Sequence, residues 1–319
     1  MERIVAEVGT VIECGNNRCL TAMLEDGEEV VIPFDEIHRD KATYDFRRLI
    51  GRNIEIVSTD RCDVDGRRIY SHKTVEEHDF EWLRYNFETG KRNTYWAHYK
   101  GMTNNGTLAF YKIGDTTING AISLKDFSMN RISSYNDCVM PASIQVVITE
   151  ISDGKIKLSS IPGFIGFDET IEMLKLRPGS TPIGKAASKV SGSLKTMITL
   201  TPNVATLIDG DFEGADVKVF VTNINNEKRK VKSRLDSVLA MPGTRTVDYN
   251  LYITKKPLPA FLTLEDYKSD QGYFKRRTTS NSPAQVLEMP AISEEIANSN
   301  APEDKQLSYF ERFLRSLAS

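Results

Sequence analysis

A hairpin phrase that occurs three times constrains this 319-residue chain more than any single motif. Its clearest copy is IQVVITEISDGKIKLS, Ile144–Ser159, in which Ile144, Val146 and Ile148 stand at every second position ahead of an Asp-Gly step. That alternation is the period of a strand with one buried face, and Asp-Gly supplies the positive φ of a tight turn. Similar phrases fill Ile54–Ser71 and Val217–Ser233, and each ends on a serine. An internal repeat of this kind predicts several copies of one small β-domain.

The residues that precede each hairpin predict the rest of a small barrel. In the first unit, three short strands and a longer polar connection come before the hairpin. The second unit repeats this order, and its Ile122 follows Ile32 of the first unit by 90 residues. Five short strands with one longer excursion between the third and the fourth are typical of an OB-type barrel. The third unit lacks most of that excursion, so we predict a shortened barrel; the alternative is that it borrows Asp248–Thr254.

Two helices complete the predicted fold. Phe80, Leu83 and Phe87 share one face of a helix that links the first two units. We predict a mostly β protein with three tandem OB-like five-stranded barrels, the third of them shortened, a linker helix and a C-terminal amphipathic helix. The predicted boundaries are 1–74, 91–165 and 185–256 for the barrels, 75–90 for the linker helix, 166–184 for a linker, 257–304 for a flexible linker and 305–318 for the amphipathic helix.

Composition limits the functions that are open to the chain. The formal net charge is -3 and the pI is about 5.9, so the chain lacks the overall basic character that is usual in nucleic-acid-binding proteins. Any nucleic-acid site must therefore be a local basic surface on an acidic body. No apolar run is long enough for a transmembrane helix, and the N-terminus does not read as a signal peptide. We expect a cytoplasmic protein that does not bind membranes.

Motifs for catalysis and for metal binding are missing from the sequence. The four cysteines form no C-x-x-C pair and the four histidines are scattered, so we expect no zinc site. No phosphate-binding loop, nucleophile elbow or H-E-x-x-H motif occurs. Asp60, Asp63 and Asp65 are spaced like the start of a calcium loop, but no glutamate closes it. We expect a non-catalytic protein without a cofactor.

Several short phrases recur in the first two units in a fixed order. In Gly27–Ile37, a glycine leads through an apolar step and a proline to an acid-apolar pair, and Gly120–Phe127 follows the same pattern more loosely. Gly51 opens the predicted fourth strand of unit one, and Leu158-Ser159 ends the fifth strand of unit two. This order resembles the RNA-binding OB domain of the ribosomal protein S-one type. The resemblance implies RNA binding, in which an aromatic pair on the second strand stacks on bases.

Only the second unit has that aromatic pair, at Phe110 and Tyr111. The equivalent places, Cys19–Ala22 in unit one and Val204–Leu207 in unit three, have no aromatic residue. Stacking suits binding with little sequence preference, because every base has a π-face. The alternative is that part of these rings fill the barrel, since alternation sends neighbouring residues to opposite faces. The predicted nucleic-acid-binding residues of unit two are Trp96, Tyr99, Phe110, Tyr111, Lys112 and Arg131.

A row of cations is predicted on the last strand of unit three. Every second residue there is basic, so these side chains would project from one face. They are Lys228, Lys230, Lys232 and Arg234. Such a row suits contacts with successive phosphates, whose strength depends on salt. The alternative is an edge strand that its charges protect against aggregation.

The C-terminal amphipathic stretch is a candidate site for a protein partner. A tethered helix of this kind can dock into a groove of another protein, or onto the barrels of its own chain. The residues predicted to make this contact are Leu307, Phe310, Phe313, Leu314 and Leu317.

These observations leave two functions open. The first is a non-catalytic RNA or single-stranded nucleic-acid-binding protein built from repeated OB modules. The second is a structural or assembly protein, for example of a viral or ribonucleoprotein particle, that uses the barrels and the C-terminal helix for protein–protein contacts. Fold alone does not choose between them, because OB barrels host many functions.

Overall fold

The computed structural model describes residues 2–14, 17–39, 46–130, 132, 134–189, 194–240 and 247–263. Over these ranges the protein is mostly β, as predicted, with two closed five-stranded barrels and a third five-stranded sheet. Within the same ranges, no helix is long and apolar enough to cross a membrane.

The first barrel, barrel one, is built from five strands. They are β1 (Ile4–Cys14), β2 (Asn17–Leu24), β3 (Glu29–Pro33), β4 (Asn53–Cys62) and β5 (Arg68–Ser71). These strands close in the order β1-β2-β3-β5-β4, and a parallel pair at Val31 and Ile69 joins β3 to β5. Alternate side chains fill the interior, among them the fully buried Leu20, Ile32 and Ile56. This is the barrel that the sequence predicts for unit one.

One helix, α1 (Lys73–Glu88), connects barrel one to the second barrel. It begins and ends two residues before the predicted 75–90. Phe80 and Leu83 belong to the hydrophobic core of the second barrel. On its other side α1 contacts β4, and Val75 is fully buried. The helix therefore packs between the two barrels, as its apolar pattern predicts.

Asp79 of α1 ties the two barrels together. Its carboxylate accepts hydrogen bonds from the guanidinium of Arg3, the residue before β1. It also accepts bonds from the backbone N–H and the hydroxyl of Thr117 in the second barrel, at 2.7 and 3.0 Å. Burial raises the pKa of the Asp79 carboxyl, but the bonds from Arg3 and Thr117 outweigh burial and hold this pKa below its usual value.

The second barrel, barrel two, has the same strand plan. Its elements are β6 (Thr94–Met102), β7 (Leu108–Ile113), β8 (Asn119–Ser123), α2 (Leu124–Phe127), β9 (Cys138–Val139), β10 (Ser143–Ser152) and β11 (Lys155–Ser159). The barrel closes in the order β10-β11-β8-β7-β6. Its β10–β11 hairpin is the predicted one, and Asp153 and Gly154 turn it with φ values of 48° and 72°.

The third unit is an open sheet, so the predicted third barrel is not supported. Its elements are α3 (Phe167–Met173), β12 (Ile183–Lys189), β13 (Lys195–Thr201), β14 (Val204–Asp209), β15 (Asp216–Asn225) and β16 (Lys230–Ala240). The strand order is β14-β13-β12-β15-β16, and in the described residues no backbone ladder joins β14 to β16. Instead, the hydroxyls of Thr206 and Ser233 hydrogen-bond to each other across this line at 2.8 Å. In barrels one and two, backbone pairing between the third and fifth strands closes the barrel. At the same place in the third sheet, side chains meet instead.

The segment that follows the third sheet covers barrel two. A two-residue strand, β17 (Val247–Asp248), pairs in parallel with β9. The Tyr249 ring is buried 4.9 Å from Phe127 and 5.7 Å from Phe164, measured between ring centroids. The prediction that Asp248–Thr254 could complete the third barrel is therefore wrong, because Tyr249 of this segment is buried against barrel two.

Residues 257–263 continue along barrel two, where the sequence predicts the start of a flexible linker. The side-chain amide of Asn93 donates a hydrogen bond to the Leu262 carbonyl and accepts one from the Leu262 N–H, both at 2.9 Å. This part of the predicted linker is therefore a strap fixed to barrel two. The remaining 264–304 and the predicted helix at 305–318 lie outside the described residues.

Two buried asparagines fix the third sheet to barrel two. Asn203 accepts a hydrogen bond from the Met129 N–H at 3.1 Å and donates to the Ile161 carbonyl at 2.9 Å. Asn130 donates to the Thr201 carbonyl at 2.7 Å. Because buried polar groups need partners, these bonds specify how the two units meet.

Replacing Asn203 with alanine should lower the free energy of unfolding by about 1–3 kcal/mol, because the Met129 N–H and the Ile161 carbonyl lose a buried partner. Chemical denaturation followed by circular dichroism measures this loss. The control is Asn53→Ala at an exposed position on β4, which should change the free energy by no more than about 0.5 kcal/mol. Equal losses in both variants would contradict the role given to Asn203.

Candidate nucleic-acid interface

The outward side chains of β6 and β7 define the candidate site on barrel two. Tyr111 of β7 lies in the core, so its neighbours Phe110 and Lys112 point outward. On β6, alternation leaves Trp96 and His98 exposed. The strand register places His98 opposite Lys112. We call Trp96, His98, Phe110 and Lys112 the outer face.

Strand β8 borders the outer face on its other side. Phe110 lies opposite Ala121, and Lys112 lies opposite Asn119. In OB folds the surface of the second and third strands binds oligonucleotides or oligosaccharides, and β7 and β8 are the second and third strands here. The β6–β7 loop and the β10–β11 turn correspond to the two loops that flank that surface. Phe110 and Lys112 on β7 therefore lie where this barrel type binds its ligands, and Trp96 and His98 lie next to that surface on the first strand.

The outer face has a fixed order along the strands. Trp96 is 49% exposed and Phe110 is partly exposed. His98 and Lys112 are paired across the two strands and lie between these rings. Trp96 and Phe110 are about four residue levels apart, or roughly 13 Å at the usual strand rise. An aromatic ring, a basic pair and a second ring thus follow one another across the surface.

Tyr111 does not belong to this surface, so its predicted role in base stacking is wrong. It is fully buried, and its hydroxyl donates a hydrogen bond to the Pro141 carbonyl at 3.2 Å. Tyr99 packs edge-on against it, with 5.4 Å between ring centroids, and is itself partly buried. Burial raises the pKa of both hydroxyls. Adjacent strand residues point to opposite sides, so only Phe110 of the predicted pair can reach a ligand.

The cationic row of the third sheet is shorter than predicted. Lys230, Lys232 and Arg234 are exposed on β16, which is an edge strand of the sheet. Lys228 is also exposed but lies in the turn before β16, because the hairpin bends at 226–229. The Arg234 guanidinium lies 4.8 Å from the ring centroid of Phe220, its partner on β15. The row therefore contains three cations, one of which rests on an aromatic ring.

The remaining predicted residues have no described position. Arg131 and the partner-binding residues Leu307, Phe310, Phe313, Leu314 and Leu317 lie outside the described residues. The sequence analysis did not identify His98 as a member of the outer face, or Asn119 as its neighbour on β8. The position of His98 two residues after Trp96 was the signal that could have found it, because both must share one side of β6.

Metal coordination finds no support in the part of the chain that the structure describes. There, no group of three or more His, Cys, Asp or Glu side chains could hold a metal ion. The chemistry of the outer face is that of aromatic stacking, hydrogen bonding and positive charge.

Comparison with known proteins adds little to this geometry. No family model matches the chain, and no curated protein matches it. One solved structure that matches is a multidomain protein with nucleic acid binding domains from Streptococcus pneumoniae TIGR4. The two chains are 12% identical, the match covers 74% of this chain and 73% of that chain, and the TM-score is 0.23. A similarity this low carries no argument about the function of this chain.

Tyr111→Phe removes the hydroxyl and keeps the ring, so it separates the hydrogen bond to Pro141 from any contact of this hydroxyl with a ligand. The variant should lower the free energy of unfolding by about 1 kcal/mol, because the Pro141 carbonyl loses its donor. Its affinity for single-stranded RNA should equal that of the wild type. Denaturation and fluorescence anisotropy measure the two quantities, and a loss of affinity at unchanged stability would return Tyr111 to the site.

Proposed function

We propose that this chain is a non-catalytic protein that binds single-stranded nucleic acid, above all RNA, on the outer face of barrel two. The observation that carries this proposal is the position of Phe110 and Lys112. They point outward from the second strand of a closed five-stranded barrel, with His98 opposite Lys112 and Trp96 farther along β6. Aromatic rings for the bases and positive charge for the backbone are the two requirements for binding a single strand. The resemblance of units one and two to an RNA-binding OB domain favours RNA over DNA.

The order of groups on the outer face suggests how a strand would lie. Trp96 and Phe110 are roughly 13 Å apart by the strand spacing, too far to enclose one base between them. Each ring would therefore stack on a base of its own, at about 1–3 kcal/mol per base. Lys112, with His98 opposite it, would contact the phosphates between these bases.

The β16 row would add a contact that is purely electrostatic. Lys230 and Lys232 are exposed and stand two residues apart on the edge strand β16. Exposed cations that meet phosphates release counterions, so their contribution falls steeply with salt. Barrel one is assigned no part in stacking, because Cys19 and Thr21 at the equivalent place on β2 are buried and not aromatic.

Phe110→Ala should weaken binding to single-stranded RNA about 5- to 150-fold, because one stacked base is lost. Fluorescence anisotropy with labelled single-stranded RNA, single-stranded DNA and duplex DNA measures this, and both single strands should bind more tightly than the duplex. Leu251→Ala, which truncates an apolar side chain that is 67% exposed, is the control and should bind like the wild type. Wild-type affinity in Phe110→Ala would refute the site, and no binding by the wild type at low salt would favour the assembly function.

Lys230→Gln combined with Lys232→Gln should flatten the salt dependence of binding. Each phosphate contact on a single strand contributes about 0.7 to the slope of log affinity against log salt, so the slope should fall by about 1.4. Lys175→Gln combined with Lys255→Gln makes the same change in net charge at other exposed positions and should leave the slope as in the wild type. An equal slope in all three proteins would remove β16 from the interface.

A further inference from the structure

A cluster of titratable side chains lies in the joint between barrel one and α1. Glu76, in the first turn of α1, is buried. Its Oε2 accepts a hydrogen bond from the Arg39 N–H at 2.9 Å and lies 3.0 Å from Nδ1 of His38. Its Oε1 lies 3.6 Å from Nε2 of His72. Neither the core nor the outer face uses these groups.

The contacts of His72 show which of its two ring nitrogens carries the hydrogen. Nδ1 of His72 lies 2.6 Å from the Glu55 carbonyl, which can only accept, so Nδ1 carries the hydrogen. In a neutral ring Nε2 is then a lone pair that faces Glu76. At 3.6 Å this is a contact with a lone pair and not a hydrogen bond, so His72 supplies Oε1 with no donor. A buried oxygen that faces a lone pair without a donor favours the neutral carboxylic acid over the carboxylate.

The electrostatics of the joint agree with this geometry. Burial raises the pKa of the Glu76 carboxyl to about 7, although the hydrogen bond from Arg39 opposes the rise. Burial also lowers the pKa of His72, which keeps its ring neutral. The other charged groups nearby are Arg3 just before β1, Glu55 on β4, and Lys73, Glu77 and Asp79 on α1.

Arg39 connects this cluster to barrel two. Its backbone binds Glu76, while its guanidinium lies 3.8 Å from the Phe80 ring centroid and donates to the Gly154 carbonyl. Gly154 is in the β10–β11 turn, one of the two loops that flank the outer face. Arg39 thus binds both the carboxyl group of Glu76 and the β10–β11 turn of barrel two.

We propose that this joint is a pH-sensitive connection between the two barrels, closed when Glu76 is neutral and loosened when Glu76 loses its proton. In the closed joint the Arg39 N–H and His38 Nδ1 contact Oε2, so an ionised Glu76 needs water or a further donor at Oε1. The positive charge of Arg39 acts on this carboxyl, but its guanidinium donates to the Gly154 carbonyl. Hydrating the carboxylate, or turning Arg39 toward it, opens the joint and releases the β10–β11 turn. This mechanism does not depend on what barrel two binds.

The direction of the pH effect follows from the two shifted groups. The folded pKa of Glu76 is raised from 4.5 to about 7, so its contribution to the closed joint is complete below 4.5 and is lost as the pH rises through 7. His72 acts in the opposite sense, because its pKa is lowered from 6.5 and its contribution is lost as the pH falls. Comparison with Glu76→Gln isolates the Glu76 effect, since glutamine stays neutral and can make the same hydrogen bonds.

Hydrogen exchange of the full chain, without nucleic acid, tests the joint at pH 6 and pH 8. Opening that exposes Glu76 should become about tenfold more favourable over this range, given a pKa near 7 when closed and 4.5 when open. After correction for intrinsic rates, protection of the Arg39 amide in the wild type should therefore fall about tenfold. In Glu76→Gln it should stay constant. In Glu77→Gln, which removes an exposed charge one residue away, it should fall as in the wild type.

Two results would overturn the proposal. One is equal protection of the wild type at both pH values, a measurement that stands even if Glu76→Gln does not fold. The other is a tenfold fall that persists in Glu76→Gln. Because no nucleic acid is present, either result leaves the proposed function untouched.

Discussion

Side-chain alternation in a closed five-stranded barrel is the constraint on which the rest of this structure depends. When Ala109, Tyr111 and Ile113 fill barrel two, Phe110 and Lys112 have to point outward. Backbone pairing with β6 then sets the basic pair between the two outward rings. The core and the candidate site are thus two sides of the same strands, and a one-residue shift of register would exchange them.

Local pattern in the sequence was sufficient for the parts of the fold that are local. The β10–β11 hairpin and α1 were predictable from alternation, turn chemistry and one apolar helix face. The choice between Phe110 and Tyr111 was also available, because Lys112 stands two residues after Phe110 and marks its side as the outer one. Closure of the third sheet was not predictable in this way. It depends on how β14 meets β16, where Thr206 and Ser233 are 27 residues apart and use their side chains.

Contacts between the units were the least predictable part, because they join residues that are distant in sequence and have no repeating pattern. Nothing local marks Asn203 as the link to Ile161, or Tyr249 as a cover for barrel two. The same holds for Glu76, which reads as one more acid on a helix until the packing of barrel one buries it. These contacts place barrel two between its neighbours and leave β6 and β7 with outward side chains that can meet a ligand.

The central claim is that the outer face of barrel two contacts single-stranded RNA. Ultraviolet crosslinking of the full chain to a single-stranded RNA, followed by mass spectrometry of the crosslinked peptides, tests it most directly. The structure predicts crosslinks at Trp96 and Phe110, on two neighbouring strands. Crosslinks confined to barrel one, or to peptides that exclude β6 and β7, would contradict it.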